Sequence, residues 1–162
     1  VFPRIDTGAP IFGVDLVARA GSSSLFGVDL SPVPEGASWR GELRARLGDA
    51  DERLSGASIP VPVYLAKAFS EESLLMRFEV FDAKDARELL DIIESVLGPY
   101  LARLLECEPM RDEVALKAAT SRHLEYISGH RANITGQRLL SSAFGEQFAR
   151  DFLADVFVPM PR

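Results

Sequence analysis

Apolar and polar positions alternate most clearly between Pro10 and Pro32, in PIFGVDLVARAGSSSLFGVDLSP. The pentapeptide FGVDL occurs twice there, at Phe12–Leu16 and at Phe26–Leu30. Each copy is rich in aromatic and branched residues and reads as a short strand. The run Arg19–Ser23 between them contains Gly and Ser and reads as a turn, longer than a two-residue hairpin connection. The pattern predicts an antiparallel hairpin, broken after Pro32 by Val33-Pro34-Glu35-Gly36. Side chains along a strand face opposite sides in turn. Phe12, Val14, Leu16 and Ala18 therefore share a face suited to packing on helices, and Ile11, Gly13, Asp15 and Val17 share the other. A third strand is predicted within Ala68–Phe81, where Leu74, Met76, Phe78 and Val80 alternate with Leu75, Arg77, Glu79 and Phe81.

The remaining periodicity is helical. Gly41–Leu54 is charged, with Leu43, Leu47 and Leu54 as a sparse stripe, and predicts a surface helix. Ser55–Pro62 reads as a loop. Asp82, with Asp85 three residues on, reads as the N-cap of a helix whose Leu89, Leu90, Ile92, Ile93, Val96 and Leu97 are core. Gly98-Pro99 is expected to kink that helix or to start a new turn before Tyr100–Leu105. Pro109 opens a helix over about Arg111–Arg131. A last helix follows Gly145, with Phe144, Phe148 and Phe152 at four-residue spacing and Pro159 ending it. Strands first and helices mostly later give an α+β layer.

Composition narrows the function. A chain of 162 residues is one domain in size, with enough length for a core. Its 18 basic and 24 acidic residues give a net charge of −6, which argues against non-specific nucleic-acid binding. Arg40, Arg44, Arg46 and Arg53 can still form a local basic patch. No apolar run approaches a membrane span. The single cysteine, Cys107, can neither form an internal disulfide nor hold an iron–sulfur cluster alone, and it suits a cytoplasmic protein. No cluster has zinc-ligand spacing, and no Gly-rich phosphate loop follows a strand. Electrons for any redox chemistry would come from outside the chain.

Asp15 is the carboxylate in the most informative position. On a mostly apolar face it is costly to ionise unless paired. Two readings stay open: it caps a backbone group or meets an arginine, or it is a buried acid. Gly13 beside it leaves room for something flat to approach the backbone. Asp29 holds the repeated position, but its Asp-Leu-Ser-Pro setting is ordinary for a turn. His123 and His130 lie seven residues apart on one helix, a poor spacing for one metal ion, and His123 reads as solvated.

Val1-Phe2-Pro3, Pro10-Ile11-Phe12-Gly13-Val14-Asp15-Leu16-Val17-Ala18 and Val28-Asp29-Leu30-Ser31-Pro32 form one block of text. Asn133, Leu139-Leu140 and Ala143-Phe144-Gly145-Glu146 form a second. In this order and spacing the two blocks resemble the ferredoxin-dependent bilin reductases. The resemblance implies one domain over 1–162, a three-layer α/β/α sandwich with a central antiparallel sheet and a pocket between sheet and C-terminal helices. It implies that the family's first strands, one bearing a Glu and followed by a His, precede Val1. It implies reduction of biliverdin or a related bilin by an external reduced ferredoxin, with no bound cofactor or metal. A cytoplasmic location is expected from the cysteine usage, and the sequence leaves the oligomeric state open, with a monomer as the expectation. Asp15 is then the proton donor, which a pKa raised by burial would suit. Gly13, Ser24, Tyr126, His130, Arg131, Asn133 and Leu139 are the implied pigment contacts, with Ser24 equally readable as a turn hydroxyl. The family's Asp after the Asn is Ile134 here, and its next Lys is Thr135. Two alternatives stand beside the enzyme: a non-catalytic tetrapyrrole-binding relative, and an α+β domain whose pocket takes another ligand.

Overall fold

The computed structural model describes residues 1–18, 23–31, 38–48, 50–63, 66, 69–79 and 82–157. The predicted turn at residues 19–22, the breaker at 32–36, the strand end at Val80 and Phe81, and Pro159 lie outside the described residues, as does the Arg40 side chain. The FGVDL repeats form the predicted hairpin, β1 (Ile11–Val17) and β2 (Ser24–Ser31), antiparallel. The register places the two copies head to tail. Phe12 faces Leu30, Val14 faces Val28 and Leu16 faces Phe26, while Gly13 faces Asp29 and Asp15 faces Gly27. Each aspartate thus lies opposite the other repeat's glycine, and both carboxylates are on one face.

A two-residue strand, β3 (Ala57–Ser58), falls where a loop was expected. It pairs with β4 (Leu74–Phe78), the predicted third strand. The described sheet has the order β1-β2-β4-β3, and every pairing in it is antiparallel. Phe12, Phe26, Val28, Leu30, Met76 and Phe78 cover one face.

Against that face pack α1 (Ser38–Leu47), α2 (Ala50–Arg53) and α3 (Ala83–Glu106). The expected surface helix over Gly41–Leu54 is therefore two helices separated at Gly48, and its sparse stripe is core. Trp39, Leu43, Leu47 and Leu54 are all buried. The remainder of α1 is charged because only one stripe meets the sheet. Asp82 caps α3 as expected, accepting from Lys84 N at 2.7 Å and Asp85 N at 2.9 Å. Asp85 does not reciprocate. It accepts from Ser55 N at 3.1 Å and Ser55 Oγ at 2.7 Å, tying the start of α3 to the end of α2. The helix also runs through Gly98-Pro99 without a break. Proline removes one backbone donor, but Val96 and Tyr100 on either side are buried, and packing of that face outweighs the local loss. Tyr100 further donates its hydroxyl to Pro10 O at 2.9 Å, holding the entry to β1.

The second face carries the C-terminal helices, α4 (Glu113–Arg131), α5 (Ile134–Phe144) and α6 (Glu146–Asp151), the last continuing into a π-helical turn, Phe152–Phe157. Asp112 caps α4 through Ala115 N at 2.7 Å, and Asn133 caps α5 through Gly136 N at 3.1 Å. Gly145, at φ +90°, makes the corner between α5 and α6 that residues with a Cβ rarely adopt. Ile11 of β1, with Tyr126 and Ile127 of α4, forms a small second core, flanked by Phe2, Phe69 and Phe157. His123, expected to be solvated, is buried in the same helix and its Nε2 lies 3.2 Å from Ala9 O. Among the described residues no helix is long and apolar enough to cross a membrane.

Candidate functional site: a cavity between the hairpin and the C-terminal helices

Between the β1–β2 hairpin and the segment from α4 to the π-turn lies a cavity of about 520 Å³. That volume is in the range of small-molecule sites. Asp15 and Gly27 form part of its floor, His130 and Asn133 part of one wall, and Leu139, Phe152 and Phe157 much of the remainder. The lining is mostly apolar, with few polar groups, as in sites that bury a flat organic ligand.

The two aspartates of the repeat differ sharply in environment. Asp29 is buried and tethered. It accepts from Ser70 N at 3.0 Å and from the Ser70 hydroxyl. Burial nonetheless pushes its carboxyl up to about 6, the hydrogen bonds offsetting only part of the desolvation. Its geometry is that of a strut, joining β2 to the turn before β4. Asp15 has no hydrogen bond to its carboxylate among the described residues. Burial raises its pKa above the ordinary carboxyl value, and nothing opposes the shift. The residue across the sheet from it is a glycine, so the carboxyl meets the cavity where a cross-strand side chain would otherwise stand.

Gly13 does not do what the sequence suggested. A Cβ there would lie 3.1 Å from the Tyr126 hydroxyl oxygen, so tyrosine rather than a ligand occupies the space above it. Gly13 is not among the cavity's lining residues, whereas its counterpart Gly27 is. Tyr126 itself is buried, and its hydroxyl is held protonated by burial and by the negative fields of Asp15 and Asp29.

His130 packs against Tyr126, with ring centroids 4.4 Å apart and the planes tilted by 49°. Phe69 at 5.7 Å and Phe157 at 5.6 Å complete an aromatic cage around the imidazole. Burial lowers its pKa to about 4, so it is neutral at ordinary pH. Its Nε2 is buried with no hydrogen-bond partner among the described residues.

Besides Gly13, three expected contacts are not in the lining: Tyr126, which is buried over Gly13, Ser24 and Arg131. Ser24 is buried at the start of β2, opposite Phe78, and shares the core-facing side with Phe26 and Val28. Strand alternation turns it away from the cavity. Arg131 follows His130 by one residue and so points about 100° around the helix. It donates Nη2 to Ala154 O at 3.2 Å and lines a separate pocket of about 330 Å³ with Gln137 and Arg150. Ile134, where the resemblance leads one to expect an aspartate, is 59% exposed and not part of the cavity lining. Gly27, Phe69 and Phe157 were not anticipated as site residues. The signal for Gly27 was available, since an antiparallel pairing of the two repeats places it across from Asp15.

Comparison with known proteins places this geometry in a lineage. Residues 1–159 match the family model described as ferredoxin-dependent bilin reductase. A phycocyanobilin:ferredoxin oxidoreductase of Trichodesmium erythraeum (strain IMS101) is 27% identical over 161 residues, which cover 99% of this chain and 64% of that protein. Tomato phytochromobilin synthase, solved in complex with biliverdin, superposes with a TM-score of 0.79 at 16% identity, covering 97% of this chain and 57% of that one. The present chain therefore spans less than two thirds of either relative. The superposition shows the same fold, the expected α/β/α arrangement about an antiparallel sheet. With a family model matched along almost its whole length, the chain belongs to the ferredoxin-dependent bilin reductases.

Proposed function

We propose that the protein reduces biliverdin or a related linear tetrapyrrole to a phycobilin, with electrons from reduced ferredoxin and protons delivered through Asp15. The observation that carries this reading is Asp15 itself: an untethered carboxylic acid, raised in pKa by burial, on the floor of a largely apolar cavity in a chain of this family. Saturating one double bond of the pigment consumes two electrons and two protons. Ferredoxin supplies electrons singly, so the pigment passes through a radical between them. A general acid near the operating pH protonates such a species best. Asp15 gives its proton to the pigment and recovers one from solvent before the next transfer. The surrounding apolar walls from Leu139 to Phe157 exclude water from the radical. Tyr126, His130, Asn133 and Leu139 surround or support the pigment in this reading.

The test is anaerobic mixing of the protein with biliverdin and a ferredoxin-reducing system. The expected result is a lasting shift of the pigment's absorption band, preceded by a paramagnetic radical signal. A spectral change on binding, with biliverdin recovered intact afterwards, would instead identify a non-catalytic tetrapyrrole-binding relative.

A further inference from the structure

His130 is a polar side chain without a polar reason to be where it is. It is 4% exposed, it is caged by Tyr126, Phe69 and Phe157, and it lines the cavity. Its Nε2 has no partner among the described residues. Buried polar atoms in native proteins are nearly always satisfied, and an orphan in a cavity wall is accounted for by a ligand that supplies the missing partner. The aromatic cage fixes the ring plane and closes Nε2 off from solvent, so a ligand reaches that nitrogen when a caging side chain shifts aside.

The chemistry of that nitrogen selects among the groups of a bilin. Carboxylates are recognised by cations, above all by arginine. His130 is neutral at ordinary pH, and Arg131, the cation next to it, turns into another pocket. A neutral imidazole can accept from a pyrrole N–H or donate to a lactam carbonyl, according to tautomer. We propose that His130 hydrogen-bonds the nitrogen-bearing core of the tetrapyrrole, through a pyrrole N–H or lactam carbonyl, and does not bind the propionates. This rests on the bilin site proposed above and adds which part of the pigment that wall reads.

The experiment is a spectrophotometric titration of the purified protein with biliverdin and with biliverdin dimethyl ester, which lacks the propionate charges. His130→Phe is expected to weaken both ligands by about the same factor, roughly tenfold for one lost hydrogen bond. His130→Gln, which keeps a donor and an acceptor, is expected to restore most of the affinity for both. Thermal melts check that each variant is folded, and His130→Met replaces His130→Phe if the larger ring is not accommodated. A loss confined to the free acid would overturn the proposal in favour of a propionate contact. Unchanged affinity for both ligands would overturn it in favour of a packing histidine, while leaving the bilin site standing. Failure of the unmodified protein to bind either pigment would overturn the site and this inference together.

Discussion

Two buried groups near Tyr126 make opposite demands on pH, and the balance between them can be measured. His130 is lowered from 6.5 to about 4 by burial. The unfolded chain binds a proton at this residue below pH 6.5 and the folded chain does not. Stability from this residue is therefore complete above 6.5 and lost as pH falls to 4. Asp29 is raised from 3.8 to about 6. Here the folded chain keeps a proton that the unfolded chain releases, so the contribution is complete below 3.8 and lost as pH rises to 6. At about 1.36 kcal/mol per pKa unit, each effect amounts to about 3 kcal/mol. The windows overlap between pH 4 and 6, so the two slopes cancel there.

Substitution should uncover each slope. Urea unfolding at intervals from pH 4 to 7 gives stability as midpoint times slope. Relative to the unmodified protein, His130→Phe should lose about 3 kcal/mol as pH rises from 4 to 6.5, because only the Asp29 trend remains. Asp29→Asn should gain a comparable amount over the same interval, from the unopposed histidine. The double variant should be flat again. Contributions from Asp15 and His123 are common to all four proteins and drop out of the differences. Parallel curves for His130→Phe and the unmodified protein would refute the reasoning, since they would mean that His130 titrates as it does in water.

Asp15→Asn should bind biliverdin with little change and slow turnover 10²- to 10⁴-fold, the usual contribution of a positioned general acid, as read by single-turnover kinetics. Gly13→Ala should lower stability by about 1–3 kcal/mol, because its methyl group crowds the Tyr126 hydroxyl. Thermal melts should show a smaller loss in a Tyr126→Phe background, where that oxygen is gone. Ile134→Asp places an acid at an exposed helix start. It should leave pigment affinity within about twofold and raise the melting point slightly, since an anion suits a helix N-terminus.

Local physics made much of the fold legible. Period-two alternation marked β1, β2 and β4, and Asp82 announced α3, because these signals depend on neighbours in sequence. What sequence could not show depends on partners far along the chain. Leu43 and Leu47 looked too few for a core stripe, but the sheet supplies the other half of their contacts. Pro99 looked like a break, but Val96 and Tyr100 anchor the helix on both sides. β3 has two residues and exists only because β4 offers an edge. In the site, Arg131 and His130 were indistinguishable as neighbours in sequence, and helix rotation separates them into different pockets.

The repeat shows why pattern alone could nominate Asp15 but not explain it. In isolation FGVDL is the same text twice, and antiparallel pairing makes the two copies nearly equivalent, each carboxylate opposite a glycine. The equivalence is broken by what covers each glycine. Over Gly13 stands Tyr126, and beside Asp29 stands Ser70, with two donors aimed at its oxygens. That half of the motif is closed and satisfied. Gly27 is covered too, since an added Cβ would lie 2.8 Å from Leu75 Cδ2, but that cover is apolar and offers no donor, and the cavity opens beside it. That half is left with an acid and no donor. One pentapeptide thus yields a tethered carboxylate and an untethered one, and the difference comes from Ser70 and Tyr126, which lie 41 and 97 residues beyond Asp29. Giving Asp15 a donor, by Gly27→Ser in a Leu75→Ala background that makes room for the new Cβ, should lower its pKa toward the ordinary value and slow protonation of the pigment relative to Leu75→Ala alone. Should Gly27→Ser instead leave both the Asp15 titration and the single-turnover rate unchanged, the absence of a donor would not be what keeps this carboxyl protonated.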